Sequence, residues 1–352
     1  MPAQVRVYLI TFRRPELLPR AVGSLRRQKF TNWVCEVQNG DPADAFPARF
    51  FAQLGDARFT LRTPDHLIGP VEAFNLAHHP ASEPYQSLLE DDNWWEPEFL
   101  AAMLTELERH PEVDLAWANM RIWRELDGNR WQDTGKCVWA PDRWTEPCLF
   151  SWPQLLQFGD IVYSNGAMLL RSAAAPRLLM PATTPRDMIE HTRERLMRYP
   201  ILLVPQPLAN FALTRRTFRS TDYAGWGQSQ ALLGAAFLQQ VPMTAGAKRQ
   251  LWAYRRSLRP RSCNSLFFAA LLARDLGFLV HARTSDWLRF LAGCIRHPRV
   301  TWAVLQAKHQ NSDCWPFLLR ITANRTSEAR MLGFTVLEAG GLLDKHQPLI
   351  GS

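Results

Sequence analysis

Three consecutive carboxylates, Glu90, Asp91 and Asp92, close the apolar run YQSLL and lead into Asn93, Trp94, Trp95 and Pro97. Neighbouring carboxylates repel one another unless a cation, protons or water screens them. Mg²⁺ and Mn²⁺ are hard ions that take oxygen ligands, typically one or two carboxylates completed by phosphate oxygens and water. An ion held in this way would bridge to a diphosphate and neutralise it as a leaving group. The same triplet would also serve as a solvated acidic turn before the helix that starts near Pro97, where acids favour a helix N-terminus. A second group, LTRRTFRST, brings Arg215, Arg216 and Arg219 close together. Guanidinium forks match phosphate geometry, so this loop could clamp a diphosphate, or it could be a solvated basic turn.

The elements around these residues alternate between two periods. Strand-like runs at Val5–Thr11, Trp33–Val37, Arg58–Leu61 and Tyr85–Leu89 are separated by helical spacing at Pro15–Gln28, Ala43–Leu54 and Val71–His78, and Glu98–Arg109 is helical again. Such alternation means βαβ units and a mostly parallel sheet, in which ligands sit outside the carboxyl ends of the strands. The acidic triplet stands at such an end. Asp114–Arg124 and Gly159–Arg171 read as further strands around a Trp-rich stretch carrying Pro141, Pro147 and Pro153. Pro185–Tyr199 reads as a helix, Ile201–Val204 as a strand, and the chain past Thr221 as helices only.

The run Leu89-Glu90-Asp91-Asp92-Asn93, followed by Trp95-Glu96-Pro97, resembles the metal-binding motif of family 2 glycosyltransferases with the GT-A fold. There a strand ends in a D-x-D-D-like cluster followed by Trp, any residue and Pro. Upstream, VYLITFRRPELLPRAVGSLRRQKFTNW is similar to that family's opening strand, T-Y-N-R-P-like turn and first helix. IGPVEAFNLAHH is similar to the segment that ends in an Asn, here Asn75. The resemblance implies a Rossmann-like GT-A domain over 1–220, with a nucleotide-binding half at about 1–110 and an acceptor half at about 111–220. A mainly helical basic region over 221–352 would follow.

It further implies a non-processive enzyme that moves one sugar, with inversion, from a nucleotide-diphosphate sugar to a glycan or lipid-linked hydroxyl acceptor, as in cell-surface polysaccharide or glycoconjugate synthesis. Thr11, Phe12 and Arg13 would border the base and ribose, with Asn75 nearby. Glu90 and Asp91 would lie near ribose and phosphate, and Asp92 would hold Mg²⁺ or Mn²⁺. The family usually places acids after the second strand. This chain has Gln38, Asn39, Gly40 and Asp41, and amides can also hydrogen-bond a base edge. Inversion needs a general base, which the resemblance places at Asp187 with Glu190 in reserve; Thr184 or Asp187 could instead cap the helix. A sugar nucleotidyltransferase would show a Gly-rich phosphate loop after the first strand, and LITFRRPE contains no glycine. A catalytically inactive scaffold or glycan-binding module of the same fold is the other alternative.

His66, His78 and His79 lack the i, i+4 pairing of a zinc protease helix and read as surface histidines or as support for the site. Hydrophobic residues at 47% and charged residues at 21% describe a folded globular protein. Six scattered cysteines without a C-x-x-C pair, no basic n-region and no uninterrupted apolar span point to the cytoplasm. The net charge of +8 is uneven: residues 245–320 hold thirteen Lys or Arg against three Asp. The tryptophans and apolar stretches among those arginines suggest either a peripheral contact with the inner face of a membrane or a helical subdomain with solvated arginines. No nucleic-acid module accompanies the charge, and no Q-x-x-R-W motif links the chain to processive synthases.

Overall fold

A computed structural model of the chain describes residues 4–127, 130–139, 145–159, 164–215, 223–258 and 260–339. In chain order the first half runs β1 (Val5–Thr11), α1 (Leu18–Arg26), β2 (Trp33–Asn39), α2 (Phe46–Leu54), β3 (Phe59–Arg62), α3 (Pro70–Leu76), β4 (Tyr85–Glu90), β5 (Trp94–Trp95), α4 (Phe99–Arg109) and β6 (Leu115–Glu125). Next come β7 (Trp131–Cys137), β8 (Cys148–Phe150), β9 (Met168–Arg171), α5 (Ile189–Leu196) and β10 (Ile201–Leu213). Among the described residues seven α-helices follow: α6 (Tyr223–Gln240), α7 (Ala245–Leu258), α8 (Asn264–Ala273), α9 (Thr284–Arg296), α10 (Pro298–Leu305), α11 (Ala307–Gln310) and α12 (Cys314–Met331).

One mixed sheet carries the fold, in the order β3-β2-β1-β4-β9-β6-β10-β5, with β7 added to β6 and β8 to β10. β1 is parallel to β2 on one side and to β4 on the other, so Val5, Val7 and Leu9 are wholly buried. The chain steps from β1 out to β2 and β3 and then returns to β4 on β1's other flank. The crevice outside β1 and β4 is therefore the switch point of the sheet.

Two segments depart from the sequence reading. Of the strand expected over 159–171, residues 160–163 lie outside the described residues, and among the described ones only Met168–Arg171 is strand, because Asn165–Ala167 forms a 3₁₀ turn whose Gly166 N–H donates to Ser164 Oγ. The strand expected over Ile201–Val204 instead runs on to Leu213 through Pro205 and Pro207. Proline cannot donate to a ladder. The register with β6 shifts on each side of Pro207, and buried Asn119 repairs the gap. Its amide donates to Trp139 O and Pro205 O, while its oxygen accepts from Met120 N and Trp139 N.

The helices after β10 share the hydrophobic core of the sheet. Trp152 Nε1 donates to Thr326 Oγ1 of α12 at 3.2 Å, and its ring lies edge-on to Phe237 of α6. Gly234 lets α6 come this close, since a Cβ there would stand 2.5 Å from Phe158 Cζ and 2.8 Å from Ala269 Cβ. No helix among the described residues is long and apolar enough to cross a membrane.

Candidate active site

β4 delivers the acidic triplet to the switch point. Ile10 of β1 pairs with Glu90, and Asp91 N donates to Ile10 O at 3.0 Å, so the chain turns over the end of β1. The three carboxylates then diverge. Asp91, 3% exposed, is fastened to β1: its Oδ2 accepts from Thr11 Oγ1 at 2.8 Å and from Phe12 N at 3.1 Å. Glu90 turns the other way, where Oε2 accepts from Ser164 Oγ at 2.9 Å and Asn93 Nδ2 at 2.8 Å. Asp92 keeps 13% of its side chain exposed.

Arg14 stands between the two aspartates. Its Nη1 donates to Asp91 Oδ1 at 3.0 Å and to Asp92 Oδ2 at 2.6 Å. Arg20 adds a second guanidinium. Its Nη2 donates to the Asp92 carbonyl at 2.7 Å, and its guanidinium lies over the rings of both Trp94 at 3.9 Å and Trp131 at 3.8 Å, which stand edge to face. Burial lowers the pKa of Arg20 to about 10, against the pull of Asp92, so it remains a cation.

Protonation separates the carboxylates further. Glu90 keeps some exposed area, yet desolvation is the largest cause pushing its carboxyl up to about 8, followed by the charges of Asp92 and Glu190. Asp91 is raised to about 6, again by burial first, with Arg14 opposing the shift. Near neutral pH Glu90 is therefore the protonated acid of the pocket, while Asp91 faces Arg14 as a carboxylate.

One wall near the pocket is the start of α5, whose Glu190 charge reaches Glu90. Asp187 sits half-buried in a 3₁₀ turn at Arg186–Met188, and Glu190 lies in the first turn of α5. Arg193, one turn further on, is wholly buried, has no hydrogen-bond partner and lies 5.3 Å over the Phe74 ring. Burial lowers its pKa to about 9, opposed by Glu190 and Glu90. Asn75 braces α3 against this wall, donating from Nδ2 to Met180 O and accepting from Met180 N at Oδ1.

The other expected residues have protein partners of their own. Arg13 reaches Asp41 at 2.5 Å and holds that carboxyl below the usual range. Gln38 donates to Glu36, and Asn39 braces the turn at 40–44 through Asp44 O and Asp41 N. Phe12 lies against Gly40, where a Cβ would stand 2.9 Å from Phe12 Cδ2 and 3.3 Å from Thr11 O. Arg215 is held at the β6–β7 hairpin, its N–H donating to Glu125 Oε2 at 2.7 Å and its guanidinium paired with Asp127. Arg216 and Arg219 lie outside the described residues. His78 is not a surface histidine but is wholly buried, with neither ring nitrogen hydrogen-bonded; His66 bridges Asp65 and Glu72 at the surface. Arg14, Arg20, Ser164 and Arg193 are absent from the sequence reading. Only the doubled arginine before Pro15 hinted at Arg14.

Among the described residues no three His, Cys, Asp or Glu side chains converge on a common centre, so the protein alone offers no metal cage. A single partly exposed carboxylate at Asp92 does suit a hard divalent ion that completes its shell with phosphate and water, provided Arg14 releases Asp92 Oδ2.

Residues 7–175, from within β1 through β9, match the family described as Glycosyl transferase family 2. Among solved structures, S. aureus TarS 1-349 in complex with UDP-GlcNAc is 12% identical, with a TM-score of 0.52 over 93% of this chain and 92% of that chain. The same S. aureus protein in complex with UDP is also 12% identical, with a TM-score of 0.52 over 94% and 92%. No curated protein sequence matches the chain significantly. The likeness to TarS is one of fold. With the acidic strand end seated at the switch point and the family match running across the strands that build it, residues 7–175 match glycosyl transferase family 2 and the chain is a glycosyltransferase of the GT-A fold.

Proposed function

We propose that the crevice takes a nucleotide-diphosphate sugar and transfers its sugar, with inversion, to a hydroxyl of a glycan or lipid-linked acceptor. The observation that carries this reading is that Asp91 and Asp92, cation-balanced by Arg14, stand at the switch point, with the charge of Glu190 on α5 reaching Glu90. Thr11, Phe12 and the turn at 38–41 border the base and ribose, and the diphosphate lies over Asp92. The UDP-GlcNAc and UDP complexes of TarS support a nucleotide sugar as donor.

Asp92 would hold Mg²⁺ or Mn²⁺, which supplies positive charge to the diphosphate oxygens when bound. Arg14, freed from Asp92, is then positioned to meet a phosphate oxygen with its fork. Asp187 takes the proton of the acceptor hydroxyl as that oxygen bonds to the anomeric carbon. The bond from that carbon to the diphosphate breaks on the opposite face, and the diphosphate leaves with the electron pair. Glu190 is a second reading for the base, favoured by its charge reaching Glu90.

Donor hydrolysis with Mn²⁺ is expected to fall at least about a hundredfold in Asp92→Ala with folding unchanged; an unchanged rate removes Asp92 from the site. Asp187→Asn should abolish transfer and spare donor binding, whereas a near-normal rate alongside a dead Glu190→Gln moves the base to Glu190. A thermal-shift screen of UDP-, GDP-, CMP- and dTDP-sugars identifies the donor.

A further inference from the structure

α9 is apolar on two faces. Phe290 and the carboxylate of Asp286 point into the protein, where Asp286 pairs with Arg256 at 2.8 Å. Nearly opposite, Leu288, Leu291 and Ile295 follow one another on successive turns and are 64%, 50% and 81% exposed. Val280, just before α9, is 75% exposed, and Trp302 of the adjoining α10 is 65% exposed. A stripe of large side chains left in water on one helix face marks a contact surface rather than chance exposure.

The charges around the stripe identify what it meets. Residues 276–305 carry Arg283, Arg289, Arg296 and Arg299, all exposed, and their one acid is the buried Asp286. Arg289 and Arg296, seven residues apart, flank the stripe on one side; Arg289 approaches Asp286 at 3.8 Å and still exposes half its side chain. We infer that this face of α9 and α10 lies on an anionic lipid bilayer, the leucines and isoleucine entering the acyl boundary while the arginines reach lipid phosphates. A second copy of this chain would set the same arginines against one another, and an acidic protein surface would leave the apolar stripe without apolar company.

The inference stands apart from the donor assignment, because vesicle binding is measured without any sugar nucleotide. Cosedimentation of the full chain is expected with vesicles containing about a third phosphatidylglycerol and not with phosphatidylcholine alone. Each arginine removed from the rim should weaken binding about fivefold, so Arg289→Ala/Arg296→Ala loses about 25-fold. Leu288→Glu/Ile295→Glu, both at exposed positions, should abolish binding while donor hydrolysis and melting temperature stay as they were. Two results overturn the inference: equal sedimentation with and without anionic lipid, or no sedimentation together with a dimer in solution that Ile295→Glu dissociates.

Discussion

Arg13 and Arg14 are neighbours that serve different carboxylates, because Arg13 adopts a left-handed φ of 52°. That turn sends Arg13 to Asp41 after β2 and Arg14 to Asp91 and Asp92 after β4. The positions of the acids were legible from an apolar run ending in charge. The cation that balances them was not, because its direction depends on one backbone angle. Arg14→Met is expected to lower stability by about 2–4 kcal/mol, since it leaves two shielded carboxylates uncompensated. Added Mn²⁺ should then raise the melting temperature of Arg14→Met more than that of the unsubstituted protein, as a competing charge is gone. Equal Mn²⁺ shifts in both proteins would show that Arg14 and the ion do not share Asp92.

At the scale of elements, alternation of periods 2 and 3.6 located β1 to β4 and their helices, because each packs on a continuous core. β7 escaped because its sequence WQDTGKC has mostly exposed positions and no apolar face. β10 was cut short in the reading because two prolines imply a strand end, whereas bulges and Asn119 carry the strand past them. α5 was legible as a helix but not as a buried one, since IEHTRERL reads as polar while His191 through Arg195 are buried. Its packing on α3 has a pH consequence. Burial first, then the charges of Arg193 and His79, drives the pKa of His78 well below 6.5. A depressed histidine contributes stability that is complete above its ordinary pKa and drains away as pH falls below it. His78 therefore pulls the melting temperature down between about pH 7.5 and about pH 5.5, against the opposite pull of Glu90 and Asp91, whose raised carboxyls gain stability as pH falls. His78→Leu should thus show a smaller drop or a larger rise than the unsubstituted protein. An identical slope in the variant would assign the drop to other groups.

For the whole molecule, the change to helices past Thr221 and the basic C-terminal third were both readable from residue order and charge. The shared core was not, because it depends on pairs far apart in sequence such as Trp152 with Thr326 and Arg195 with Thr322. Through Arg195 the last helix supports the helix bearing Glu190 from behind. Arg20, seated in the corner formed by the edge-to-face rings of Trp94 and Trp131 and tied to the Asp92 carbonyl, couples the pocket to light. Fourteen indoles blur any emission signal, but two held rigidly around one cation give an asymmetric ultraviolet environment. A donor that moves the carbonyl must disturb that corner, so near-ultraviolet circular dichroism should report occupancy without any label. Replacing Arg20 with leucine should silence the signal.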